Sequence, residues 1–137
     1  MSMKRDTCGY WNFNASEPTA AARARRAFSA YLHEHCTDDS DFVAAEMVFA
    51  ELISNAFRHG RAPVRIWVDC DMPNCILSVQ DRGPGFEARP AQLPADVLSE
   101  NGRGLFLVNA LARRVEIVSR PHCGSVVKAL LPVSFAA

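Results

Sequence analysis

The sequence predicts an α+β fold, a two-layer α/β sandwich in which about three helices cover one face of a mixed, mostly antiparallel sheet. Three observations predict it. Segments of period two, the mark of half-buried strands, recur along the chain. Between them lie segments whose apolar residues fall three and four apart, the mark of one-sided helices. The resulting order, β-α-α-β-β-loop-α-β-β, fits helices gathered on one sheet face.

Each element has its own signal. Residues 8–15 (CGYWNFNA) place Tyr10, with Trp11 or Phe13, in an alternating pattern that suggests a first strand. Ser16, Glu17, Pro18 and Thr19 read as a helix start, with Pro near the first helical position. That helix runs to about His35, with Ala24, Ala27, Phe28, Tyr31 and Leu32 at helical spacing and Arg23, Arg25 and Arg26 outward. The loop 36–41 (CTDDSD) offers several N-caps. A second helix follows from about Asp41 to Arg58, with Ala45, Val48, Phe49, Leu52 and Ala56 as its stripe and Gly60 as its stop. Val64–Asp69 and Cys75–Gln80 alternate across a turn at 71–74 and form an antiparallel hairpin. Residues 82–103, punctuated by Gly83, Pro84, Gly85, Pro90, Pro94 and Gly102, read as a long loop with a short helix near 94–99. Loops of that length inside a domain are usually functional. Gly104 to about Ala112 is a helix, with Leu105, Val108, Leu111 and Ala112 inward. Val115–Ser119 and Ser125–Leu131 are the last two strands.

The 137 residues fit one domain, 1–137, with enough apolar content for a core. Fifteen basic and 15 acidic side chains cancel. A protein that reads nucleic acid through phosphate neutralisation carries a basic excess, so nucleic acid is not the expected direct partner. No apolar run is long enough to span a membrane, and the first residues lack an apolar signal core. The expected location is the cytoplasm. Five cysteines, scattered in sequence, lack the paired spacing of zinc sites and are expected as free thiols, mostly buried like small hydrophobes.

Three short segments use residues that the fold alone does not require. In ELISNAFRHG (51–60), Glu51 and Asn55 are four apart and share a helix face away from the apolar stripe. A carboxylate there can take a proton from an attacking hydroxyl, and an amide oxygen suits Mg²⁺. The plain alternative is a solvated polar face. In DRGPGF (81–86), Asp81 at a strand end can accept a hydrogen bond from an exocyclic amine, and Gly83 and Gly85 let the backbone turn close to a ligand. A simple Asp–Gly turn has the same composition. In NGRGLFLVNAL (101–111), Gly102 and Gly104 stand before a helix whose exposed N–H groups make an anion site. Arg103 adds a guanidinium, and the alternative is a glycine-rich hinge. A third glycine after a strand, as in dinucleotide folds, and a Walker-type G-K-[ST] are both missing.

The order of these segments carries more than any one of them. The chain resembles the GHKL ATPase superfamily, which includes gyrases and histidine kinases. Within it, the chain is similar to the small bacterial anti-sigma factor serine/threonine kinases, stand-alone domains of about this size, over nearly its whole length. The resemblance implies a Bergerat-type fold and binding of ATP with Mg²⁺. It implies Glu51 as the general base, Asn55 as the Mg²⁺ ligand, and Asp81 as the partner of the adenine amino group. It implies Gly83 and Gly85 as one glycine box, Gly102, Gly104 and Leu105 as a second, Arg103 as its variable position, and an ATP lid at about 84–101. Relatives often carry a Thr in one of the last two strands that supports the Asp, and Ser125 is the candidate here, beside Val126 and Val127. Arg58 and His59 follow the acid–amide segment, where relatives often carry a basic residue.

The leading expectation is a serine/threonine protein kinase that acts on a small anti-anti-sigma partner of the STAS type and so releases a sigma factor, the kinase itself being a homodimer. A second is a nucleotide-dependent regulatory binding module with little or no kinase activity. The catalytic half of a histidine kinase is less favoured, because no helix pair with a phospho-acceptor His precedes the acid–amide segment. A hydrolase has no support, since no strand–nucleophile–helix elbow is present.

Overall fold

The computed structural model describes residues 6–13, 19–59, 64–81, 102–120 and 124–137. Among them the order is β1 (Asp6–Phe13), α1 (Ala20–His35), α2 (Phe42–His59), β2 (Val64–Asp71), β3 (Asn74–Asp81), α3 (Gly102–Leu111), β4 (Arg114–Arg120) and β5 (Gly124–Ser134). The expected short helix at 94–99 and the stop at Gly60 lie outside the described residues. The strands form one sheet in the order β1-β2-β3-β5-β4, and every pairing is antiparallel.

Alternation decides which face is covered. Val64, Ile66 and Val68 of β2, Cys75, Leu77 and Val79 of β3, and Val127, Ala129, Leu131 and Val133 of β5 are buried in one cluster with helix residues. α1 contributes Ala24, Phe28 and Leu32 at four-residue spacing, so one stripe faces inward. α2 contributes Ala45, Val48, Phe49, Leu52, Ile53 and Ala56. Its wider stripe reflects its position: it lies across β3 and β5 with α1 on one side and α3 on the other. Phe28 and Phe49 stack at 4.2 Å between ring centres and join the two long helices. Burying such a pair contributes several kcal/mol, about 1.5–3 for each ring.

Details of the strands differ from the expectation. In β1 it is Trp11 that packs on the core, edge-on to Phe28 and Tyr31, while Tyr10 is 55 % exposed on the other face. β1 pairs Thr7 with Asp69 and Gly9 with Val68, so Cys8 is the extra residue of a bulge. A Cβ on Gly9 would lie 2.8 Å from the Trp11 ring, which is why the smallest residue sits there. β5 runs three residues beyond the expected end and carries two extra residues between Leu130 and Ser134, where Pro132 sits. α2 begins one residue after Asp41, whose carboxylate accepts from Ala44 N–H at 3.0 Å and caps the helix.

The end of β5 is tied down by backbone hydrogen bonds. Thr37 N–H donates to Ser134 O, Asp41 N–H to Pro132 O and Phe135 N–H to Pro73 O. The α1–α2 loop, the β2–β3 turn and the end of β5 therefore meet at one end of the sheet. The candidate site lies at the other.

Candidate functional site

Asp81 ends β3 and stands directly opposite Ser125, the second residue of β5. Both are buried, at 8 % and 5 % exposed. The Ser125 hydroxyl donates to Asp81 Oδ2 at 3.2 Å. Side chains alternate along β5, so Ser125, Val127 and Ala129 share the covered face with Asp81, while Val126 points away. The spacing of Ser125 from Val127, Ala129 and Leu131 already held this register. The adjacent valines at 126 and 127 obscured it. Gly124, with φ 83°, opens the strand just before Ser125. That left-handed backbone is disfavoured for any residue with a side chain, so glycine allows the chain to enter the strand with the hydroxyl turned toward Asp81.

Glu51 and Asn55 lie one turn apart on α2, as their spacing predicts. Both are half-buried, unlike the exposed Ser54 between them. A solvated polar face would leave all three equally open, so the pair faces partly into the molecule. Arg58 and His59 fall in the last turn of α2. Gly102, Arg103, Gly104 and Leu105 form the first turn of α3, so the glycines sit inside the helix rather than before it. The first turn is where backbone N–H groups lack intrahelical acceptors, so the anion-binding argument carries over to these positions. α3 packs against α2. Gly83, Gly85 and the lid at about 84–101 lie outside the described residues.

The two described clefts are elsewhere. One of about 360 Å³ is lined by Arg25, Arg26, Ser29 and Glu46 between α1 and α2. The other, of about 310 Å³, lies on the helix-free sheet face between Asp71, Arg114, Glu116 and Lys128. Neither gathers a buried polar pair like Asp81–Ser125, and shape alone is weaker ground than that buried hydrogen bond. Among the described residues no group of three or more His, Cys, Asp or Glu is arranged to hold a metal ion. Also among them, no helix is long and apolar enough to cross a membrane.

Comparison with solved structures agrees with the sheet and helix layout. The histidine kinase AdeS of Acinetobacter baumannii matches with a TM-score of 0.56 and 22 % identity, over 94 % of this chain and 68 % of that one. Full-length ShkA in complex with AMPPNP matches with a TM-score of 0.58 and 18 % identity, over 85 % of this chain; this chain spans 30 % of its length. The catalytic domain of histidine kinase ThkA matches with a TM-score of 0.50 and 17 % identity, over 90 % of this chain and 95 % of that one. At these identities the likeness is one of fold. No curated protein matches the chain. The sequence model of the histidine kinase-like ATPase domain matches residues 14–129, a span that holds the Glu51–Asn55 turn, Asp81, the first turn of α3 and Ser125. The chain therefore belongs to the histidine kinase-like ATPase domain family.

Proposed function

We propose that this domain binds ATP with Mg²⁺ and transfers the terminal phosphoryl group to a serine or threonine hydroxyl of a partner protein. The observation that carries the reading is the buried hydrogen bond from Ser125 to Asp81. A carboxylate held in one orientation at a strand end, among apolar side chains, suits recognition of an amine such as that of adenine. Asn55 offers an amide oxygen of the hard kind that Mg²⁺ takes. That ion is commonly held by one or two protein oxygens plus substrate phosphates, so Asn55 fits it without a larger cluster of acids. When bound, the ion neutralises phosphate charge. Glu51, one turn away, accepts the proton of the attacking hydroxyl. The N–H groups at Gly102–Leu105 hold phosphate oxygens, and Arg103 adds a positive charge beside them. In this proposal Gly83 and Gly85 belong to the nucleotide site, and about 84–101 to its lid, through the resemblance alone.

The partner in this proposal is a small anti-anti-sigma protein of the STAS type, with a sigma factor released in turn and the kinase acting as a homodimer in the cytoplasm. Its support is the resemblance of the three segments to anti-sigma factor kinases. Phosphorylation adds about two negative charges to the partner's interface and drives the proteins apart. Phosphorylation of histidine is the second reading, favoured by the match to the histidine kinase-like ATPase domain.

The test is transfer from terminally labelled ATP to candidate partners. Label that survives acid and is lost in alkali marks a hydroxyl ester and is the expected result. Label that is lost in acid marks histidine and overturns the hydroxyl acceptor. ATP binding without any label makes the domain a nucleotide-dependent binding module instead.

A further inference from the structure

Four cysteines that are scattered in sequence meet at the end of the sheet farthest from Asp81. Cys8 is the extra residue of the β1 bulge, Cys36 follows α1, Cys70 lies near the end of β2 and Cys75 near the start of β3. None forms a disulfide. Tyr31 hydrogen-bonds with Cys8 and lies within electrostatic reach of Cys70 and Cys75; Cys75 in turn is within reach of Cys8, Cys36 and Cys70. The kinase reading uses none of these thiols.

Two of the four are placed for a bond. Cys70 and Cys75 are direct register partners in the β2–β3 ladder. Opposed residues of an antiparallel pair have Cα atoms about 4.5 or 5.5 Å apart, according to their place in the hydrogen-bond pattern. Disulfides accept Cα separations of about 4.4–6.8 Å, so either place qualifies. Both side chains leave the sheet on the helix-covered face, Cys75 within the core and Cys70 packed at its margin. Cys8 lies in the bulge, between neighbours that are opposite Asp69 and Val68. Cys36 pairs through its backbone with Phe135.

We propose that Cys70 and Cys75 form a modification site, a dithiol that a hydroperoxide converts into a cross-strand disulfide. Cys70 is half-buried and Cys75 is fully buried, so Cys70 meets the oxidant first. Its thiolate attacks the terminal peroxide oxygen: an S–O bond forms, the O–O bond breaks, and the alcohol leaves, or water when the oxidant is hydrogen peroxide. Cys75 then gives up its proton and attacks the Cys70 sulfur. The S–S bond forms, the S–O bond breaks, and the departing hydroxide takes a proton and leaves as water. The two thiols together lose two protons and two electrons, and the hydroperoxide is reduced. Burial raises the Cys75 thiol, which slows the second step relative to an exposed thiol.

The experiment treats the folded protein with hydrogen peroxide well below its melting temperature, blocks remaining thiols with an alkylating reagent, and measures mass. Cleavage before Asp71 then separates Cys70 from Cys75 unless sulfur joins them. The expected product has lost two hydrogens, has fragments held together across that cut, keeps Cys36 as a thiol, and reverts with a dithiol reductant. Cys8→Ser gives the same link, and Cys70→Ser abolishes it. Addition of oxygen to Cys70 without a link overturns the proposal. So does a link from Cys70 to Cys8 or Cys36, or loss of the link in Cys8→Ser. The wild-type measurement stands without any variant, so a poorly folding substitution does not leave the question open.

Discussion

The central strands carry opposite chemistry at their two ends. β3 ends in Asp81 and β5 begins with Gly124 and Ser125, a buried polar pair joined by one hydrogen bond. At its other end β3 begins beside Cys75, amid Tyr31, Phe135 and the neighbouring thiols, where the α1–α2 loop and the end of β5 are bonded in place. Buried polar groups stabilise little and cost much when one partner is lost; apolar contacts stabilise in proportion to area. The first end is suited to selecting a ligand and the second to holding the sheet together. With a strand rise of about 3.4 Å, Cys75 and Asp81 are about 20 Å apart, beyond the range over which substitutions usually couple. Binding and folding should therefore respond separately to changes at the two ends.

The sharpest separation comes from the helix beside the polar end. Glu51→Ala should lower phosphotransfer by about 10²- to 10⁴-fold while ATP affinity and melting temperature stay near wild type, read by transfer kinetics, calorimetry and thermal melts. Parallel losses of binding would show that Glu51 is not a base. Next is Asp81→Asn, for which ATP affinity should fall about 10- to 100-fold, the worth of a hydrogen bond to a charged group. A full-strength titration with this variant would remove Asp81 from the site. Ser125→Ala should cost a smaller amount, about 1 kcal/mol in denaturant unfolding with a modest drop in affinity, because the carboxylate loses one donor. Cys75→Ala should cost about 1 kcal/mol of stability and leave ATP affinity untouched. A change in its affinity would couple the two ends and break the contrast.

A further effect is one of pH. Burial raises the Cys75 thiol above its ordinary 9.0 and the Tyr31 hydroxyl above 10.0. In the folded state these groups keep protons that the unfolded chain releases, so folding stability is whole below pH 9 and falls as pH rises beyond it. For the buried Cys75 thiol the limiting slope is about 1.4 kcal/mol per pH unit. Unfolding curves between pH 8 and 10.5 should show this decline, and Cys75→Ala should flatten its first part.

Much of the polar end was legible because its residues are unusual for their positions. An acid and an amide one turn apart on Glu51 and Asn55, away from the stripe of Val48, Leu52 and Ala56, stand out against helix periodicity. Asp81 stands out at the end of an apolar strand. The thiol end was not legible, since a convergence of Cys8, Cys36, Cys70 and Cys75 depends on strand order and register, which local spacing does not encode. Trp11 was ambiguous for a related reason: the bulge at Cys8 shifts the alternation of β1 by one residue, and only pairing with β2 reveals it. The sequence places the start of α3 two residues late because Gly102 and Gly104 read as breakers, whereas both lie in the first turn of a helix that packs on α2.

The strand order also bears on how the chain is made. β5 is the last of the five strands to be synthesised, yet it sits between β3 and β4 rather than at an edge. A nascent chain that has emerged as far as β4 leaves one side of β3 open and gives β4 no strand to pair with, and Asp81 waits for a residue 44 positions later. Such distant pairings form slowly and leave unpaired strand edges exposed in the meantime. Stalled or C-terminally clipped chains would lose the middle of the sheet, not its margin, and so become substrates for chaperones or proteases before they could compete for nucleotide.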